Sequence, residues 1–82
     1  MSKSWLYKYG ADSIKVVNKH FDGSELYING ELCDQQKCTS LTEHLTAALK
    51  SGETVTATLG GTLTMKCTLC INGEPQEPVE VK

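Results

Sequence analysis

A seven-residue phrase occurs twice in this chain, as LYINGEL over Leu26–Leu32 and as LCINGEP over Leu69–Pro75, identical at five of the seven positions. Each copy is an apolar run, β-branched at Ile28 or Ile71, that ends in Asn-Gly, the strongest short-range signal of a strand turning back on its neighbour. A chain that repeats this turn is held to a hairpin architecture. The repeat speaks about fold, not chemistry.

Other turn signals punctuate the remainder: Tyr9-Gly10, Asp22-Gly23, Ser51-Gly52 and Gly60-Gly61. Short runs rich in β-branched and aromatic residues lie between them, which is the pattern of a meander, sandwich or small barrel. Strands are expected near 4–9, 13–20, 24–29, 31–36, 53–59, 63–71 and 77–81. No linker or low-complexity segment divides the 82 residues. The expectation is one domain over 1–82, all-β, a small antiparallel sandwich or half-barrel built from hairpins.

Alternation constrains the register. Over 63–71 the odd positions Leu63, Met65, Cys67, Leu69 and Ile71 are apolar, and Val55, Ala57 and Leu59 are the apolar residues of the preceding strand. Directly paired residues share a face, so both sets reach the core only if paired numbers sum to an even value. A three-residue loop Gly60-Gly61-Thr62, with Leu59 opposite Leu63 and Ala57 opposite Met65, meets that condition. The segment 40–50 reads two ways. Leu41, Leu45, Ala48 and Leu49 have helical spacing, and Ser40 with Glu43 resembles a capping box. Leu41, Leu45, Ala47 and Leu49 also alternate, which makes a strand that continues the meander. Strand is the preferred expectation, with an α+β fold carrying one helix near 40–51 as the alternative. Pro75 and Pro78 cannot donate to a ladder and confine 77–81 to a sheet edge.

A chain this small buries roughly 60–65% of the surface its unfolded form exposes, which leaves little room for a deep pocket. No run reaches the ~18 apolar residues of a membrane span, and the start, Met1-Ser2-Lys3-Ser4-Trp5, lacks the apolar core of a signal peptide. A soluble, cytoplasmic protein is expected. Formal charge is −2, and all eight cations are lysines. Without a guanidinium fork the chain is poorly equipped to read phosphate or guanine edges, which argues against nucleic acid. Lys3, Lys8, Lys15 and Lys19 make a basic head, and Glu74, Glu77 and Glu80 an acidic tail. Solvated strand faces are the preferred explanation over an anion-binding patch, and head-to-tail attraction between subunits is a further reading.

The order of SIKVVNKHFDGSELYINGE, a weakly alternating middle strand, SGETVTATLGG and MKCTLCINGE, over about residues 13–75, resembles the β-sandwich repeat of the Fas apoptosis inhibitory molecule family. It is also similar to small uncharacterised bacterial β-domains of like length. The resemblance implies an all-β sandwich with no catalytic constellation to transfer. The family's anti-apoptotic role does not carry over, because no functional motif matches residue by residue.

Three groups of residues bear on chemistry. Cys33, Cys38, Cys67 and Cys70 form two close pairs, the composition of a four-thiolate zinc site. Cys67 and Cys70, however, lie three apart in a strand and point to opposite faces, Cys67 to the core and Cys70 outward. His20 and His44 have no feature that brings either to a cysteine as a nucleophile's base, and Asp12, Asp22 and Asp34 read as turn residues that support backbone. No Walker or Rossmann glycine pattern occurs. Trp5, Tyr7 and Tyr9 alternate onto one side of the first strand. A small domain needs that bulk for its own core. Otherwise it is the surface for a sugar, a peptide or a second subunit. The expectation is a non-enzymatic protein-interaction or self-associating module without cofactor, its candidate surface Trp5, Tyr7 and Tyr9, its partners a second copy pairing at an exposed edge or an unknown protein. A small zinc-binding domain is the alternative.

Overall fold

A computed structural model describes residues 2–37, 42–61 and 63–82. Nine strands follow in chain order: β1 (Lys3–Tyr9), β2 (Asp12–Asn18), β3 (Ser24–Ile28), β4 (Glu31–Gln36), β5 (Thr42–Ala48), β6 (Thr54–Gly60), β7 (Lys66–Ile71), β8 (Glu74–Gln76) and β9 (Glu80–Val81). One turn of 3-10 helix, His20–Asp22, joins β2 to β3. The strands make two antiparallel sheets, of order β4-β3-β2-β1-β9 and β5-β6-β7-β8. The expected all-β sandwich is the fold.

The repeated phrase does the same work twice. Asn29-Gly30 and Asn72-Gly73 are two-residue hairpin turns with positive φ at both positions, 52° and 83° in the first, 49° and 82° in the second. This is the primed turn whose twist matches that of the flanking strands, and glycine takes its second position without a steric penalty. Each asparagine also ties its hairpin to the strand on the other side. The Asn29 N–H donates to the Ser13 carbonyl and its Oδ1 accepts the Ser13 N–H, while Asn72 makes the same pair of bonds with Thr54. The sandwich is therefore two four-strand meanders of one design, β1–β4 and β5–β8, with β9 added beside β1.

That tie explains where β7 departs from expectation. Joining Asn72 to Thr54 sets Ile71 opposite Val55, and the ladder continues as Ala57↔Leu69 and Leu59↔Cys67. The even-sum rule holds, but Leu59 does not face Leu63, nor Ala57 Met65. Gly61 and Leu63–Met65 belong to neither strand. Leu63 is 99% exposed there, not buried, and Met65 is half-buried. Thr62, part of the expected three-residue loop, lies outside the described residues.

Segment 42–48 is a strand, not a helix. It pairs with β6 along its whole length, from Ala48↔Thr54 to Thr42↔Gly60. A helix would satisfy itself but would leave the β6 edge open. Three smaller expectations also shift. β2 ends at Asn18, Glu74–Gln76 forms the short strand β8, and only Glu80–Val81 of the 77–81 stretch is strand.

Trp5, Tyr7, Ile14, Val16, Leu26 and Ile28 from one sheet meet Leu45, Leu49, Val55, Ala57, Leu59, Leu69 and Ile71 from the other. At one end of this core the inward positions become polar: Asn18, Ser24 and Glu43 are buried together. Asn18 Nδ2 donates to Ser24 Oγ at 3.0 Å, and the Ser24 hydroxyl donates to the Glu43 carboxyl across the sandwich.

Candidate binding face

The aromatic stripe expected as a surface is interior. Trp5 is 4% exposed and Tyr7 1%, and Tyr9 packs half-buried against the same core. β1 is flanked by β2 along its length and by β9 at Trp5 and Leu6. The physical reason is bulk, since Trp5 and Tyr7 supply volume that a small core otherwise lacks. The Tyr7 hydroxyl donates to Cys67 Sγ at 3.5 Å. Burial first, and that bond second, hold its pKa well above the usual tyrosine value. Lys3 closes the end of the stripe, its Nζ 5.4 Å from the Trp5 ring centroid and donating to the Met65 carbonyl at 3.1 Å.

The three described cysteines, Cys33, Cys67 and Cys70, do not converge. Cys67 points inward and Cys70 outward on β7, while Cys33 is exposed on β4 in the other sheet. Cys38 lies outside the described residues. Among the described residues no group of three or more His, Cys, Asp or Glu is placed to hold a metal ion. Burial raises the Cys67 thiol pKa, partly opposed by the Tyr7 hydrogen bond. Thiolate is the reactive species, so among the described cysteines a disulfide reagent is expected to modify Cys33 fastest, Cys70 next and Cys67 last under native conditions. Peptide mapping after timed quenching reads that order. Early labelling at Cys67 would show that the seam beside Tyr7 opens. His20 and His44 are both exposed and in different elements, the 3-10 turn and β5.

Three of the four sheet edges carry features that oppose pairing. β8 carries Pro75, and β9 is only two residues long, preceded by Pro78. Asp34, expected in a turn, lies in β4 and accepts the Thr46 N–H of β5 at 2.8 Å. Short edges, prolines and inward polar groups are the means by which sheets resist unwanted pairing.

What remains is the two outer faces. That of the four-stranded sheet is largely threonine, with Thr46 opposite Thr56 and Thr58 opposite Thr68. The five-stranded sheet differs. Across its outer face Leu6 pairs with Lys15 and Lys15 with Tyr27, and in the next row Val17 pairs with Glu25. These residues floor and wall a shallow depression of about 370 Å³. Leu6, Val17 and Tyr27 are half-buried there and Lys15 is exposed. Tyr27 is held in place by its hydroxyl, which donates to Glu25 Oε1 at 2.7 Å, and Lys19 Nζ lies 3.0 Å from the same oxygen. The Tyr27 bond and then the Lys19 bond keep the Glu25 carboxyl below the usual glutamate range, and the carboxylate in turn raises Tyr27 and Lys19.

The sequence carries a signal for this face. Leu6 stands between Trp5 and Tyr7, and Val17 follows Val16, so each is an apolar residue on the polar side of an alternating strand. Tyr27 occupies the variable second position of the repeated phrase, where the other copy has Cys70. Set against protein-family models, curated proteins and solved structures, the chain finds no match in any of the three.

Proposed function

We propose that this chain is a non-enzymatic protein-interaction module that binds through the outer face of β1–β3. The partner segment would combine an apolar side chain with a carboxylate. The observation that carries this reading is the placement of Lys15 between Leu6 and Tyr27 on a depressed sheet face. Leu6, Val17 and Tyr27 offer apolar area and a flat ring, which are features of interface centres. Glu25 takes the charge of Lys19, so Lys15, with Lys8 beside Ser13 on the same face, is left to meet an acidic group. A face of three strands is small, and the binding it supports is weak and transient.

Selection of random displayed peptides against the intact protein and against a Tyr27→Ala, Lys15→Glu variant tests this. Peptides pairing Asp or Glu with an aromatic or aliphatic residue are expected from the intact protein and not from the variant. The variant's strand spectrum should be unchanged, because both side chains stand on the outer face. Peptides without acidic residues, or equal capture by both proteins, would overturn the assignment.

A further inference from the structure

β5 is the outer strand of the four-stranded sheet, seven residues long and regularly paired with β6. Such an edge ordinarily offers its outward N–H and C=O groups to any strand that approaches. Two of its outward N–H groups are occupied from within the chain. Gln36 Oε1 accepts the His44 N–H at 2.8 Å, and Asp34 Oδ2 accepts the Thr46 N–H at 2.8 Å. Both acceptors come from β4, the edge of the opposite sheet.

A one-residue irregularity aims them. β4 pairs as Ile28↔Glu31 and Tyr27↔Leu32, then as Leu26↔Asp34 and Ser24↔Gln36, so Cys33 is the extra residue of a β-bulge. Because side chains alternate, one inserted residue reverses the phase of everything after it. Asp34 and Gln36 thereby share the inward side with Leu26 and Ser24, and from there reach the β5 backbone. Without the bulge Cys33 and Gln35 would hold those positions. Acidic and amide side chains on an inward face break the hydrophobic pattern of a strand, and their bonds to β5 account for them.

We propose that Asp34 and Gln36 are an intramolecular guard on β5, standing in for a partner strand, and that the partner they exclude is a second copy of this chain. The edge is self-complementary under a two-fold axis. With Leu45 on the axis, His44 of one copy lies opposite Thr46 of the other, and each pair exchanges the N–H and C=O groups that β6 does not use. The two four-stranded sheets then run on as one. This interface uses an edge and not the Tyr27 face, so it stands or falls independently of the proposed binding function.

The test is the mass of the Asp34→Ala, Gln36→Ala double variant in sedimentation, compared with the intact protein over a concentration series. A roughly two-fold higher limiting mass than that of the intact chain is expected, with the strand spectrum kept. Adding Thr46→Pro, which removes one outward N–H and is tolerated at an edge, should abolish the increment. Asp34→Asn, which keeps an acceptor oxygen, should behave as the intact protein does. An unchanged mass in a folded double variant would overturn the guard, and so would an increment that survives Thr46→Pro. Amide exchange on the intact protein decides independently of whether the double variant folds. The His44 and Thr46 amides should exchange at least roughly ten-fold more slowly than unprotected amides. Exchange at the unprotected rate would show that β4 does not cover the edge.

Discussion

Glu43→Ala is expected to destabilise the domain by about 2–4 kcal/mol, although the residue is only the second of its strand, near the end of the sandwich. Glu43 is 3% exposed and turned inward from β5. The Ser24 hydroxyl donates to its carboxyl, Asn18 Nδ2 donates to Ser24 Oγ, and Asn18 Oδ1 accepts the His20 N–H at 3.2 Å. One chain of bonds thus runs from the four-stranded sheet through β3 and β2 to the 3-10 turn. Truncation leaves the Ser24 hydroxyl without its acceptor and opens a void beside it, and these two penalties add. Glu43→Gln retains an acceptor at the same reach and should lose only about 1 kcal/mol. A double-mutant cycle with Ser24→Ala should show coupling of about 1–2 kcal/mol, because the second truncation removes the group that the first leaves unpaired. Urea unfolding with an unchanged m-value measures all three. A Glu43→Ala variant within about 0.5 kcal/mol of the intact protein would mean that water reaches this end of the core.

Glu43 also shows why part of the fold escapes a reading of the sequence. Three residues after Ser40, it completes the local signature of a helix start, and only the presence of Ser24 and Asn18 across the sandwich makes its inward position in a strand acceptable. Local patterning does specify the Asn-Gly hairpins, the alternation of β6 and β7 and the parity of their pairing. It does not specify how far the ladder slides within that parity. The slide is set at the far end by the bonds between Asn72 and Thr54, which join residues 18 apart. Gly60-Gly61 is the more conspicuous signal and draws the loop too tight.

The proposed binding face and the proposed guard escape the sequence for related reasons. Whether Trp5 and Tyr7 form a surface or a core depends on whether a second sheet covers their side of β1. That is decided by β5–β8, whose Leu45, Val55, Leu59 and Leu69 lie more than thirty residues further along the chain. Leu6, Val17 and Tyr27 are visible as departures from alternation, but they become one apolar floor only when β1, β2 and β3 lie side by side. The bulge at Cys33 has no glycine or other local mark. Without it Asp34 and Gln36 appear on the solvent side, where their polarity needs no explanation.

The largest single effects are expected at the two leucines that open the repeated phrase. Leu26→Ala and Leu69→Ala should each cost about 3–5 kcal/mol, whereas Leu63→Ala should stay within about 0.5 kcal/mol of the intact protein. Leu26 and Leu69 hold the same place in the two meanders, one opposite Val16 and the other opposite Ala57, and both are fully buried. Flanking strands on either side of β3 and β7 limit how far the walls can collapse into a cavity at these points. A domain of this length has a total stability of about 4–12 kcal/mol, so either truncation removes a large part of it and the pair together should abolish folding. Leu63 shares the odd-number phase of Leu69 and by alternation alone would rank beside it. Its position outside β6 and β7, at 99% exposure, makes it nearly neutral instead. Chemical denaturation of the three single variants separates the possible registers. A loss at Leu63 approaching that at Leu69 would place Leu63 opposite Leu59 in a longer β7 and would break the correspondence between the two meanders.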